Sequence, residues 1–419
     1  MKSEIIWGIW GLTFDHCKLG EFIHITSGKE CPPEKKTDYS TIPIRGATGI
    51  IGYSTEPLYE RPIILVGRVG AGLLSGMSGI LNRADKPCWP SDNTLVIIPK
   101  DDDEFDYIEC CLRYSDIYPY VSGSSQPLLT QTALKLLEIP WSSRETRHMI
   151  ANNGRQIDRL LLLNNNIENI SQEIITALFR SWFIDFDPVK AKTEGKLLYG
   201  MNEETAALFP DSFEDSELGS IPKGWEIVTI SDVCDFVSRG VTPDYEDGTG
   251  SWIINQKVNN GVNLNLENLK ELSKSCIVPE DKFAKRFDVL VNCLGEGTLG
   301  RIHFFTGDSD YYAVDQHMSI CRAKSPSAGL YIYHTLSSPT GQWRIDSVKT
   351  GSTGMTMFNI SKLRAFKIYI PPQRILDEFW ANVSNLIHQN QICLETGNVL
   401  IHTRDVLLPR LMSRELKVN

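Results

Sequence analysis

The 419-residue chain lacks the short motifs that announce common chemistries. It has no G-x-x-x-x-G-K-[ST], so no loop cradles a nucleotide phosphate in the P-loop manner. It has no H-E-x-x-H, and its eight histidines show no metal-ligand spacing. No G-x-S-x-G turn offers a hydrolase nucleophile. The ten cysteines contain no C-x-x-C, and Cys110–Cys111 is the only close pair. A disulfide scaffold or structural zinc site needs paired spacing, so these read as reduced thiols packed as small hydrophobes. Long apolar runs are missing too. The stretch 5–12 is far short of the ~20 residues a spanning helix needs, and it has neither a basic flank nor a small-residue cleavage site. The expectation is a cytoplasmic protein with no membrane partner.

What is present is ordinary globular composition, 42% hydrophobic and 22% charged, in a chain long enough for two or three domains. The net charge is −10, from 42 basic and 52 acidic residues. Taken whole, that balance argues against a nucleic-acid partner. Divided by segment it does not. Residues 193–219 hold one Lys against seven acids, and the run 101–106 alone holds five acids. The acidity is concentrated in two runs that can face away from DNA. It leaves an expectation of weak DNA binding by the isolated chain.

The chain repeats itself, with a period near 230 residues. Leu65-Val66, Gly70-Ala71-Gly72, Asp92-Asn93, Gly123-Ser124-Ser125 and Pro140-Trp141 form the first series of landmarks. Leu290-Val291, Gly295-Glu296-Gly297, Asp315-Gln316, Gly351-Ser352-Thr353 and Pro371-Pro372 recur in the same order. A period this long means duplicated domains rather than a solenoid.

Each copy is followed by helical periodicity. Ser142 and Glu145 form an S-x-x-E capping box, and Ile150, Ile157, Leu160, Asn164, Ile167 and Ile174 then fall near alternating 3 and 4 spacing. The pattern stops before Asp187-Pro188. In the second copy Pro372 suits a first helical turn, followed by Phe379, Val383, Leu386, Asn390, Cys393 and Leu400. Pro409 should break or kink that helix. Asn164 and Asn390 share one heptad phase, as residues that fix register do. About 40 residues at ~1.5 Å rise span ~60 Å, too long to lid one small domain. The fold class expected is α+β, two duplicated globular domains separated by a long antiparallel two-helix coiled coil. The boundaries read 1–142 for the first domain, 143–186 for the central helix and 187–220 for a solvated acidic connector. The second domain is 221–372 and the C-terminal helix 373–419.

Candidate chemistry is sparse. Gly295-Glu296-Gly297-Thr298-Leu299-Gly300 fits G-x-G-x-x-G, but the first copy breaks the pattern and nothing helical follows, so a turn between strands is expected. A metal nuclease built from Asp244, Glu280 and Lys282 is disfavoured by their separation. The duplicated polar loops are more informative. Ser124, Ser125 and Gln126 match Ser352 and Thr353, hydroxyl and amide groups on turns that suit phosphate and base-edge contacts. Asn255, Gln256, Lys257, Asn259, Gln316 and His317 add further groups, with Arg45, Arg68 and Asn93 as first-copy counterparts. Any one reads as ordinary surface; duplication on a rigid spacer raises the DNA reading.

Here the residues resemble the specificity subunits of type I restriction–modification systems. Residues 178–192 (LFRSWFIDFDPVKAK), 205–213 (TAALFPDSF) and 218–225 (LGSIPKGW) look like the central segment of that family, and 407–413 (LLPRLMS) like its ending. Residues 42–46 (IPIRG) with 49–53 (GIIGY) resemble one type of target recognition domain, and 252–255 (WIIN) another. The start departs from the pattern, with Trp7 and Trp10 but no Pro-x-Gly-Trp. The resemblance implies a non-catalytic subunit with two target recognition domains that read a bipartite, asymmetric site in double-stranded DNA. It implies paired helices that dock two modification (methyltransferase) subunits, and restriction subunits that join them. S-adenosylmethionine, ATP and Mg would then belong to the partners, with none in this chain. Ile157, Leu160, Ile167, Val383 and Leu386 are expected inside the helix pair. The aromatics Phe179, Trp182, Phe183 and Phe186 are expected either in the domain core or as a docking patch. A self-sufficient nuclease or methyltransferase and a DNA-free coiled-coil scaffold are the alternatives.

Overall fold

The computed structural model describes residues 15–70, 72–73, 80–123, 126–246, 248, 250–295, 297–349 and 357–412. Contacts divide the chain into two compact units, residues 1–164 with 396–419, and residues 165–395.

In the first unit the strands are β1 (Asp15–Lys18), β2 (Ile23–Ser27), β3 (Ile42–Gly46), β4 (Gly49–Ser54), β5 (Ile63–Gly67) and β6 (Leu81–Ala84). They continue with β7 (Trp89–Pro90), β8 (Thr94–Pro99), β9 (Val121–Ser122), β10 (Leu128–Leu129) and β11 (Glu138–Trp141). A four-stranded sheet runs β2-β8-β5-β6, a three-stranded one β4-β3-β7, and β1 pairs with β11. β5 is buried throughout, as a central strand covered on both faces must be. Its period of two sorts the side chains. Ile64 and Val66 join the core under helix α1 (Phe105–Tyr114), while Ile63 and Leu65 join Cys88 and Val96 on the other face. The short helix α2 (Gln131–Lys135) is capped by Thr130, whose Oγ1 accepts from the Ala133 N–H at 3.1 Å.

The long helix α3 (Arg144–Phe183) starts in this unit. Its cap lies one residue later than the sequence pattern placed it, because Ser143 Oγ accepts from the Thr146 N–H. Arg147 then stacks 4.1 Å from the Trp141 ring and donates from Nε to Glu104 at 2.8 Å. Both charged groups are nearly buried, which demands this pairing.

The second unit adds α4 (Asp187–Thr193), α5 (Glu203–Ala207) and the hairpin β12 (Phe213–Ser216)–β13 (Gly219–Pro222). Then follow β14 (Glu226–Thr229), α6 (Ile230–Val233), β15 (Cys234–Arg239), β16 (Trp252–Ile254), β17 (Lys270–Glu271), β18 (Val289–Asn292), β19 (Ile302–Phe304), β20 (Tyr312–Val314) and β21 (Met318–Ala323). Helices α7 (Pro326–Ser337), α8 (Pro339–Val348) and α9 (Ile360–Arg364), strand β22 (Lys367–Ile370) and the first part, up to residue 395, of helix α10 (Gln373–Met412) complete it. The sheets run β15-β21-β18-β19 and β17-β16-β20, with β14 on β22. Strand for strand this repeats the first unit, so the duplication extends to topology. β18 is again buried throughout, Val289 and Val291 facing one core and Leu290 the other. Residues 295 and 297–300 lie in the turn between antiparallel β18 and β19, as expected.

Three expectations are corrected, and of the two alternatives for the aromatics the domain core is the one found. Segment 187–220 is folded, not a solvated connector. Val189, Met201 and Phe209 enter the main core, while the acids between them stay outside together with Leu197 and Tyr199. Average composition hid that alternation. Next, the buried face of α3 follows the predicted seam only in part, with Ile150 buried. Leu160 is 46% exposed and Ile174 is exposed, while Ile175, Ser171 and Glu168 are buried. Glu168 is held inside by accepting from Asn263 Nδ2 at 2.7 Å. A polar seam residue with a partner is invisible to an apolar count, and at 3.6 residues per turn the face drifts off a strict heptad. On α10 Phe379, Val383, Asn390 and Cys393 are buried, with Leu386 partly buried and packed on the core, whereas Leu400 is only half-buried. Ile157, Asn164 and Ile167 are half-buried. Phe179, Trp182 and Phe183 are buried core, their rings 5–6 Å from Phe379, which leaves no aromatic docking patch there. Third, α10 continues past Pro409 to Met412. A proline one turn from a helix end removes a single backbone bond, which the terminus tolerates.

Within each unit the two long helices lie antiparallel. In the first, Asp158 meets Arg404 and Leu161 lies near Gly397. In the second, Ile175, Gln172 and Glu168 line one cavity with Ile387, Asn390 and Leu394.

Candidate nucleic-acid interface

The sheet register gathers polar loops at one end of each globular domain. In the second unit β16 and β20 are parallel, Ile254 beside Val314, so both chains leave the sheet together. Arg239 at the end of β15 pairs with Ser319, and Asn292 at the end of β18 pairs with Met318. Four loops therefore emerge side by side, bearing Arg239 and Thr242, Asn255 to Lys257, Cys293 to Gly300, and Asp315 to His317.

Close backbone approach holds this end together. A Cβ on Gly240 would lie 1.9 Å from the Val314 carbonyl oxygen, so only glycine lets β15 pass beneath the Asp315 loop. Asn255 Oδ1 accepts from the Lys257 N–H at 2.8 Å and closes an Asx turn that leaves Lys257 exposed. Thr242 Oγ1 donates to Gln316 Oε1 at 2.9 Å. Asp315 accepts through Oδ1 from the His317 N–H at 2.7 Å and from His317 Nδ1 at 2.6 Å. Beneath the loops Cys293 lies 3.0 Å from Ser319 Oγ, and burial pushes its thiol up to about 11, so it stays neutral.

The first unit builds the same end. The Ser91 N–H donates to the Arg45 carbonyl at 2.9 Å and the Arg68 N–H to the Asn93 carbonyl at 3.1 Å. Arg68 Nη1 reaches Ser27 Oγ at 3.3 Å, with the Gln131 amide 3.0 Å from the same hydroxyl. The Nε groups of Arg45, Arg68 and Arg239 are buried without a protein partner among the described residues, so the three guanidiniums are only partly engaged by the fold. Gly28 repeats Gly240, its absent Cβ leaving room for the Ser91 carbonyl.

Of the residues singled out in the sequence, Arg45, Arg68, Asn93 and Gln126 belong to the first unit, and Asn93 and Gln126 are exposed. Asn255, Gln256, Lys257, Gln316 and His317 converge in the second. Asn259 does not join them. It is fully buried, its Nδ2 donating to Asn292 Oδ1 at 3.0 Å, and it braces the loop from below. Ser124, Ser125, Ser352 and Thr353 lie outside the described residues. Sequence reasoning missed Arg239, Ser27 and Gln131. The signal was a further repeat landmark, Ser27-Gly28 against Arg239-Gly240, at the ends of β2 and β15. Among the described residues no group of three or more His, Cys, Asp or Glu is placed to hold a metal ion.

Comparison with known proteins agrees with this architecture. The family model described as type I restriction modification DNA specificity domain matches residues 12–172 and 222–398. The MjaIX type I restriction enzyme specificity subunit of Methanocaldococcus jannaschii is 26% identical over 363 residues, covering 81% of this chain and 76% of its own. The HindI specificity subunit of Haemophilus influenzae is 23% identical over 336 residues, covering 69% and 71%. The crystal structure of the S subunit of a type I restriction–modification system from M. genitalium superposes with a TM-score of 0.65 at 13% identity, covering 96% of each chain. With most of its length matched twice over by one family model, this chain belongs to the family of type I restriction modification DNA specificity domains.

Proposed function

We propose that the chain is the non-catalytic DNA sequence-specificity subunit of a type I restriction–modification complex. Each domain reads one half of a bipartite, asymmetric site in double-stranded DNA. The observation that carries this reading is the duplicated strand-end loop cluster, donors and acceptors on a rigid sheet edge built twice with different side chains. Arg45, Arg68 and Asn93 would contact one half-site; Arg239, Gln256, Lys257, Gln316 and His317 would contact the other. Guanidiniums and ammoniums suit phosphates and guanine edges, while amides suit adenine.

Two modification subunits would dock on the long helices. Leu160 and Leu163 in the first unit, and Ile170 and Ile174 in the second, are large apolar side chains left exposed on α3. Side chains so placed suit the core of a helix-to-helix interface. Restriction subunits would join that assembly. S-adenosylmethionine, ATP and Mg would be held by the partners. No described helix is long and apolar enough to cross a membrane, and a cytoplasmic location fits a partner that is DNA.

The test is co-expression with modification subunits followed by genome-wide sequencing of methylated adenines. A split motif with a fixed gap is expected. Methylation that survives deletion of either domain, or turnover by the purified chain alone, would refute the reading.

A further inference from the structure

The Asp315–His317 pair at the second domain's loop cluster does more than close a turn. Asp315 has a side chain only 4% exposed, and its Oδ1 takes both the backbone N–H and the ring Nδ1 of His317. The loop carrying it is fixed from three sides. The Asp315 N–H donates to the Ile254 carbonyl, the Met318 N–H donates to the Asp315 carbonyl, and Val241 bridges Asp315 in parallel. A carboxylate only accepts, so the proton between the two groups sits on Nδ1. In the neutral ring the other nitrogen, Nε2, then carries a lone pair. The His317 side chain is 36% exposed, in the cluster that also holds Gln256, Lys257 and Gln316. Nδ1 is thereby committed as the donor to Asp315, and in the neutral ring Nε2 is the nitrogen left to accept.

We infer that His317 is a specificity-determining residue whose Nε2, the acceptor of the neutral ring once Asp315 holds the Nδ1 proton, selects an amino group in the major groove. This rests on the function proposed above. At one position of the second half-site the strand facing His317 must carry adenine or cytosine, whose N6 or N4 amino groups donate. Guanine and thymine present only acceptors there and repel the lone pair. Asp315 is a positioning residue, because it acts through the ring and does not reach the DNA itself.

The experiment sequences the methylation motif of the assembled complex for wild type, His317→Ala, His317→Lys and Asp315→Ala. The first half-site serves as an internal control. Wild type should hold A or C at one position of the second half-site, with discrimination of about 5- to 150-fold over G or T. His317→Ala should make that position degenerate and leave the others intact. His317→Lys, a donor with no lone pair, should invert the choice to G or T on the same strand. Asp315→Ala should relax it, because the free ring can place its proton on either nitrogen. An unchanged motif in His317→Ala, or retention of the wild-type base in His317→Lys, would overturn the inference while the split motif itself still stands. If His317→Ala methylates nothing, anisotropy with duplexes differing only at that base decides. Equal binding of both supports the inference. Loss of both at an unchanged unfolding midpoint makes His317 an affinity contact and overturns it. Absence of any split motif in wild type removes the reading beneath it.

Discussion

His303 and His334 sit in the interior of the second unit, far from the polarity usual for histidine. His303 Nδ1 lies 3.0 Å from the Val262 carbonyl and 3.2 Å from that of Gly261, so it donates to them. His334 stacks on Phe179 with centroids 4.8 Å apart. Burial pushes their values down to about 4 and about 3. The unfolded chain protonates both near 6.5. Below that value the unfolded state therefore binds more protons, and stability is lost as pH falls from about 6.5 toward the depressed values. Each histidine costs about 1.4 kcal/mol per pH unit across that window. Urea unfolding followed by tryptophan fluorescence should show a lower midpoint at pH 5.5 than at pH 7.5, and His334→Leu should remove about half the difference. An equal loss in the variant would place the pH dependence elsewhere. The same residue scale explains what the sequence could not say. Asn255 and Asn259 look alike on paper, yet one closes an exposed turn and the other is sealed against Asn292. Exposure depends on strands far away in sequence, here β18.

At the scale of elements, helix length and the existence of both long helices were legible, because 3.6-residue periodicity persists over many turns. The buried face of α3 was legible only in part, because tertiary partners recruited Glu168 and Ser171 into it and left Leu160 out. Asn390 on α10 tests how such polar seam positions act. It is 5% exposed, and neither its Oδ1 nor its Nδ2 has a protein partner among the described residues. It borders a cavity of about 40 Å³ shared with Gln172, Ile175 and Ile387. A buried amide without a protein bond costs about 1–3 kcal/mol, and the cavity gives a branched side chain room. Asn390→Leu should therefore raise the urea midpoint by an amount equivalent to about 1–3 kcal/mol. A lowered midpoint would mean that the amide's own hydrogen bonding, through solvent, outweighs the apolar gain. The acidic segment 187–220 misled for a related reason. Its charges are real, but Lys192 Nζ donates to the Phe209 carbonyl at 2.6 Å and closes the segment on itself, while Thr205 Oγ1 donates to Glu378 at 2.8 Å and fastens it to α10.

At the scale of the molecule, duplication was the most legible feature and the net charge the least. The five acids of 101–106 read as a face turned from DNA. In the structure they are consumed inside the first unit, Asp101 and Asp103 by Arg144, Asp102 by Arg61, Glu104 by Arg147 and Asp106 by Arg83 and Arg155. A net charge of −10 thus overstates the negative potential at the strand-end loops, where Arg45, Arg68, Arg239 and Lys257 lie. Each domain has its own cores on both faces of its own central sheet. On the reading proposed above, each loop cluster serves its own half-site. In the assembled complex Arg68→Ala should degrade one half of the methylation motif, and Gln256→Ala with Lys257→Ala the other half, with discrimination lost by about 5- to 150-fold at the affected positions. Genome-wide methylation sequencing reads both halves at once. A substitution at either cluster that altered both halves together would mean the domains are energetically coupled, and the picture of two separate readers would fail.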